Sequence, residues 1–206
     1  MNCPIRIGLR IDSDLQITQH EHDTYYKKTK AMNILLHICC ANCAIYPVAM
    51  LRQQEHQVTG FFYNHNIHPY QEFRKRLDTT CEYARQVELP LVINDDYHLD
   101  QFLAHVADQP EERCKYCYHS RLRVAAEQAY KLGADAFTTT LLYSRYQQHD
   151  AIVDYGQQLA AEFQLTFYYE DYRRGWNEGI RISKEMGLYR QQYCGCIYSE
   201  RDRYAR

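Results

Sequence analysis

The stretch MNILLHICCANCAIYPVAMLRQQ, residues 32–54, opens as an apolar run and changes its period after the cysteines. Ile34–Ile38 is short and almost uninterrupted, the pattern of a strand buried on both faces. From Cys43 to about Gln54 the apolar residues return at helical spacing, and a second apolar run, QVTGFFYN (57–64), follows at once. Strand, helix, strand in that order is a βαβ opening, which predicts parallel strands joined by a right-handed crossover.

Working outward, the same alternation continues. His68-Pro69 predicts a helix with proline in its first turn, carried by helical spacing from Tyr70 to Val87. A strand follows in LPLVIND (89–95), then a helix around Asp100–Ala107. The loop DQPEERCKYC (108–117) leads into a helix, YHSRLRVAAEQAYKLG (118–133), ended by Gly133. DAFTTT (135–140) and LTFYYED (165–171) are further strands, separated by a helix over Ala151–Phe163 and followed by one over Trp176–Met186. The expected fold is α/β: a single domain with a mainly parallel sheet and helices on both faces. Residues 1–31 are mostly polar and are expected to be a dispensable extension, leaving 32–206 as the domain.

The 206 residues suffice for one full core, and 46% hydrophobic with 24% charged residues excludes a disordered chain. A formal charge of −2 excludes a generally basic nucleic-acid binder, so any RNA contact must come from a local patch. No apolar run approaches the ~18 residues of a membrane span and no secretion signal is evident, so a cytoplasmic protein is expected. In a reducing compartment nine cysteines point to metal binding or redox chemistry, not to a disulfide scaffold.

Parallel sheets bind ligands at the carboxyl ends of their strands. Cys39 and Cys40, the segment YNHNIHP (63–69), Asp95 and Asp96, Thr138–Thr140, and Glu170-Asp171 all follow predicted strands, so they should converge on one rim. Cys39, Cys40 and Cys43 sit where a strand becomes a helix, and a helix N-terminus favours thiolates. Cys114 and Cys117 form a CxxC at the mouth of a helix, which alone leaves zinc, a thiol redox pair and an iron–sulfur cluster open. Structural zinc sites draw on two short knuckles; an adjacent pair leaving a strand favours the cluster. Cys194 and Cys196, one glycine apart, can ligate metal or close a small reducible disulfide. Cys81 falls mid-helix and suits core packing, while Cys3 lies in the extension. His65 and His68 could donate protons or contact phosphate, and Asp96 could be a hard ligand or proton donor. Arg113, Lys115, Arg121 and Arg123 surround the CxxC. Arg173, Arg174, Arg181, Lys184 and Arg190 lie beside Tyr172, Trp176, Tyr189 and Tyr193, a mixture suited to stacked RNA bases and equally to a solvated helix face.

The strings LLHICCANC, FFYNHNIHPYQEFRKR, ERCKYCYHSRL, FTTTLLYSRYQQH and YYEDYRRGWNEGIRISKEMGLYRQQYCGCIYSE, taken in order, resemble the signature blocks of the cobalamin-independent epoxyqueuosine reductases of the QueH type. The resemblance runs from about Met32 to Ser199. Asn42 and His65 depart from it, standing where proline is commoner. It implies a Rossmann-like fold of the HUP group and reduction of epoxyqueuosine to queuosine in the anticodon loop of tRNA, with an electron donor it does not identify. It further implies a [4Fe–4S] cluster on Cys39, Cys40, Cys114 and Cys117, and a redox-active disulfide between Cys194 and Cys196. A further mononuclear metal beside the cluster is also implied, for which Cys43 and Asp96 are candidate ligands. A zinc-stabilised RNA-binding module and a thiol oxidoreductase acting through Cys114 and Cys117 are the alternatives from other classes.

Overall fold

The computed structural model describes residues 30–205, so the extension, Cys3 included, lies almost wholly outside the described residues. Five parallel strands form one sheet: β1 (Asn33–Ile38), β2 (Gln57–Phe62), β3 (Leu91–Ile93), β4 (Ala136–Thr139) and β5 (Thr166–Phe167), in the order β3-β2-β1-β4-β5. Seven α-helices accompany them among the described residues: α1 (Ala41–Gln53), α2 (Tyr70–Gln86), α3 (Leu99–Val106), α4 (Arg113–Lys131), α5 (His149–Phe163), α6 (Trp176–Glu185) and α7 (Ile197–Tyr204). This is the expected α/β architecture, with every strand pair parallel.

β1 lies at the centre of the sheet and is covered on both faces. Ile34, Leu36 and Ile38 pack with α1, α2 and the last turns of α6, while Leu35 faces the α4 and α5 side with Phe61 and Phe137. Its neighbours β2 and β4 leave it in opposite directions, so the loops after β1 and β4 part at a topological switch point. That crevice receives Cys39 and Cys40 from one strand and Thr140 from the other.

Three expectations shift. α4 begins at Arg113, not at Tyr118: a 3₁₀ turn over Pro110–Glu112 runs straight into it, placing Cys114 and Cys117 inside its first turns, three residues apart on one face. The fifth strand pairs over only two residues, after which the chain leaves for a 3₁₀ turn at Tyr172–Gly175. α7 went unpredicted, although Glu200 in its first turn and Arg201 and Arg203 in its last match the helix dipole. Cys81 packs as expected, against the cluster of Phe62, Ile67, Phe73 and Leu77.

α6 approaches α1 closely because Gly175, just ahead of it, has no side chain. A Cβ there would lie 2.1 Å from Cγ of Tyr46. Gly175→Ala should therefore cost about 1–3 kcal/mol in overpacking, read as a lower urea midpoint. An unchanged midpoint would show that the Tyr46 ring swings aside and that the α1–α6 contact is soft.

Candidate active site and thiol centre

The sulfurs of Cys39, Cys40 and Cys43 all lie within 4.8 Å of one another, and no other cysteine, histidine or carboxylate among the described residues joins them at that spacing. Cys40 is the N-cap of α1 in extended backbone, which turns all three side chains toward the crevice. Thr140 reaches across from β4: its Oγ1 accepts from the Cys39 N–H at 3.0 Å and donates to the Cys39 sulfur at 3.2 Å. From the C-terminal segment, Gln191 Nε2 lies 3.0 Å from Cys40 Sγ and 3.8 Å from Cys43 Sγ. Asn42 holds that amide in place, donating to Gln191 Oε1 at 2.8 Å and to the Tyr189 carbonyl at 2.9 Å.

Hydrogen bonds from Cys40 and Cys43, then from Thr140, hold the Cys39 thiol well below its ordinary range despite burial, and the Arg121 charge acts the same way. The same bonding to Cys39, with burial, pushes Cys40 and Cys43 up. The three thiols thus form one hydrogen-bonded set in which Cys39 is the most acidic. Protons held this way are what a soft metal displaces. Two thiolates bound at 2.3 Å in tetrahedral geometry stand about 3.8 Å apart, and the Cys39 and Cys40 sulfurs are separated by 3.9 Å. The trio could hold a metal ion.

Two arginines are buried beside it, each only 2% exposed. Arg121 has no carboxylate within ion-pair distance among the described residues; its guanidinium donates to Cys117 Sγ at 3.0 Å, to the Cys117 carbonyl and to Asn64 Oδ1. Cys39 and Cys194 lie within its electrostatic reach. A buried cation needs an anion, and here the available partners are sulfurs. Arg76 donates from Nε to Glu72 at 2.7 Å and from its two Nη atoms to the Cys194 and Tyr193 carbonyls at 2.7 and 3.0 Å. Burial pushes the Cys117 thiol up to about 12 and raises Cys114 as well, and both feel the charges of Cys194 and Cys196. The CxxC and CxC cysteines are therefore neighbours. Cys194 is exposed, with Gln147 Nε2 3.3 Å from its sulfur, whereas Cys196 is buried against Phe102, Val106 and Cys117.

The histidines are not loop residues in water. His65 and His68 are each 1% exposed, packed around Phe102 with Tyr116 and Tyr97. Ser120 spends its hydroxyl proton on the Tyr116 carbonyl, so His65 Nε2–H donates to Ser120 Oγ; His68 Nε2–H donates to the His65 carbonyl while its Nδ1 accepts from Ile197 N–H. His37, absent from the sequence-based candidates, is a third neutral ring: Nε2–H to the Tyr63 carbonyl, Nδ1 accepting from Thr139. Asp96 follows β3 on the rim as expected, but its carboxylate faces His98 at 3.9 Å and lines a separate cavity with Asp95 and Glu127.

The basic patch is largely neutralised. Arg123 pairs with Glu162, Arg173 with Asp171, Arg174 with Glu170 and Arg181 with Glu185, while Arg121 is interior. Arg145, Arg190 and Arg203 have no acidic partner within 4 Å among the described residues, and Arg145 lies over the Trp176 ring. Arg190 and Arg203 line the main cavity, about 660 Å³, together with Cys39, Cys43, Cys194, Arg76, Arg121, Tyr143, Tyr146 and Trp176. Arg76, Gln147 and Gln191 carried no signal of their own in the sequence, because each acts through a partner more than forty residues away.

A Rossmann-like sheet with a thiol trio at its switch point, buried cations beside the trio and an aromatic, cationic mouth above it defines a cysteine-centred α/β protein built for metal or redox chemistry. A family model described as epoxyqueuosine reductase QueH matches residues 34–202. The protein of that name from Dehalococcoides mccartyi is 34% identical over 176 residues, covering 85% of this chain and 97% of its own length. Those from Thermotoga maritima and Acinetobacter baylyi are 31% and 34% identical, covering 81% and 84% of this chain and 89% and 82% of their own lengths. The chain belongs to the QueH family. No helix among the described residues is long and apolar enough to cross a membrane.

Burial holds His65 down to about 3, with Arg121 adding to the effect, and holds His68 down to about 4. In the unfolded chain both titrate near 6.5, so their contribution to stability is fully present above about pH 6.5 and is lost as pH falls toward 4. The urea-derived stability should be level between pH 8 and 7 and then fall by up to about 1.4 kcal/mol per pH unit per histidine. A midpoint that holds to pH 4.5 would mean that the rings titrate as free imidazoles.

Proposed function

We propose that this chain is an epoxyqueuosine reductase, removing the epoxide oxygen of epoxyqueuosine in the tRNA anticodon loop to give queuosine. The reaction takes two electrons and two protons and releases the oxygen as water. The observation that carries the reading is the thiol trio at the switch point, whose Cys39 and Cys43 open into a cavity of about 660 Å³ that Cys194 also lines. Relatives similar over most of the chain carry that activity in their names.

The donor set suits a [4Fe–4S] cluster. Soft sulfurs, two buried guanidinium groups and amide and hydroxyl donors aimed at sulfur form the surroundings that hold an anionic thiolate centre and set its potential. Cys39, Cys40, Cys114 and Cys117 are the proposed ligands, with Cys43 the remaining thiol of the trio for a further metal. Asp96, on its separate cavity, is the weaker candidate for that second site. When bound, the cluster would supply electrons singly. The Cys194/Cys196 dithiol stores two, and an external donor refills it. His65 and His68 organise the loop that carries this pair: the His68 N–H donates to the Gly195 carbonyl at 2.9 Å, and the Tyr193 hydroxyl donates to the His68 carbonyl.

At the mouth, Tyr146 is 82% exposed and meets Trp176 edge-on, which suits a base turned out of the loop stack. Arg190 and Arg203 are placed for flanking phosphates. The double variant Arg190→Ala/Arg203→Ala should weaken tRNA binding and flatten the plot of log affinity against log salt by about two, one for each phosphate contact; an unchanged slope would place the RNA elsewhere.

Anaerobic purification with iron and sulfide analysis tests the reading directly. About four irons with matching sulfide support the reductase, whereas a single zinc supports an RNA-binding module. Alanine at any one of Cys39, Cys40, Cys114 or Cys117 should remove most of the iron. Serine at both Cys194 and Cys196 should retain the iron yet abolish turnover with a thiol donor. Loss of iron in that double variant would make the pair ligands.

A further inference from the structure

We infer that the Cys194/Cys196 pair, taken as redox-active as proposed above, is reduced with one fixed polarity: the external thiol attacks Cys194, and Cys196 departs as the thiolate. The two sulfurs occupy unlike places. Cys194 is exposed on the cavity wall, where an external thiol can reach its sulfur. Cys196 is 7% exposed and caps α7: its sulfur accepts from the Ser199 N–H at 3.4 Å, and the Arg113 guanidinium, ion-paired with Asp202 at 2.5 Å, lies within electrostatic reach of it. A helix N-terminus and a guanidinium both stabilise developing negative charge, so the departing sulfur is the one already provided for.

The turn between them cannot exchange these places. Arg76 holds the Tyr193 and Cys194 carbonyls, and the His68 N–H holds that of Gly195. Gly195 has φ +153°, a conformation L side chains rarely adopt, and a Cβ there would press on Asn66, Ile67 and Arg76 at 3.2–3.4 Å, so this turn requires glycine.

The electrons balance as follows. A thiolate of a dithiol donor bonds to Cys194 Sγ as the Cys194–Cys196 bond breaks, and the bonding pair stays on Cys196 Sγ. The donor's second thiolate then attacks its own sulfur in the mixed disulfide, returning the pair to Cys194 Sγ. The donor leaves as its disulfide, and both cysteines take up protons. Two electrons have moved, and the donor is the species oxidised.

The test oxidises the full-length protein with diamide, adds excess glutathione as the probe and quenches with acid during the reaction. Fragment-ion mass spectrometry of peptide 191–201 then locates the adduct. Glutathione should be on Cys194, with Cys196 free, by at least roughly tenfold over the reverse. Adducts on Cys196, or equally on both, overturn the polarity while leaving the redox role in place; failure of the 194–196 disulfide to form overturns both. Arg113→Gln should slow glutathione attack several-fold and Arg113→Lys should recover most of the rate, with urea midpoints confirming that both variants are folded. An Arg113→Gln protein reduced at the wild-type rate would remove the leaving-group argument.

Discussion

A permanent positive charge, enclosed with no carboxylate at ion-pair distance among the described residues, is the constraint on which this site depends. Arg121 is interior, and its hydrogen-bond acceptors are the Cys117 sulfur, the Cys117 carbonyl and the Asn64 amide oxygen. Burying an unpaired guanidinium costs several kcal/mol, so the interior is arranged around the expectation of anionic sulfur. Arg76 repeats the theme with Glu72 as counter-ion, and Tyr189 completes that carboxylate by donating to its second oxygen. Removing the sulfurs would leave the centre of the molecule charged on one side only.

The sheet determines where this charge can be collected. β1 is covered on both faces and flanked by strands on both edges, so its carboxyl end is held from every side of the sheet. Cys39 and Cys40 hang from that point, and Thr140 reaches them from the adjacent strand. The CxC pair is fastened differently, by hydrogen bonds between α2, the His65–His68 loop and the C-terminal segment. A rigid centre therefore faces a turn secured mainly by polar contacts.

Local signals in the chain were enough for the α/β class, the parallel pairing of the first βαβ unit and the placing of Cys39, Cys40 and Thr140 together at the carboxyl ends of adjacent strands. Periodicity and Gly133 carried that information, because both act over a few residues. Helix α4 was misjudged at its start, since Pro110-Glu111-Glu112 looks like a loop yet forms the 3₁₀ entry to the helix. The histidines were misjudged because burial is a tertiary property: a ring on a loop becomes an interior hydrogen-bonding group once α3 and α4 close over it. Gln147, Gln191 and Arg76 were invisible for the same reason. Of the basic residues, the sequence displayed the charges but not the partners, and most of the apparent RNA patch is spent on Asp and Glu nearby.

Cys194 opens on the same cavity as Tyr146, Trp176, Cys39 and Cys43. One wall therefore carries both the exposed thiol of the CxC turn and the open side of the thiol trio, so any molecule that fills the cavity covers both at once.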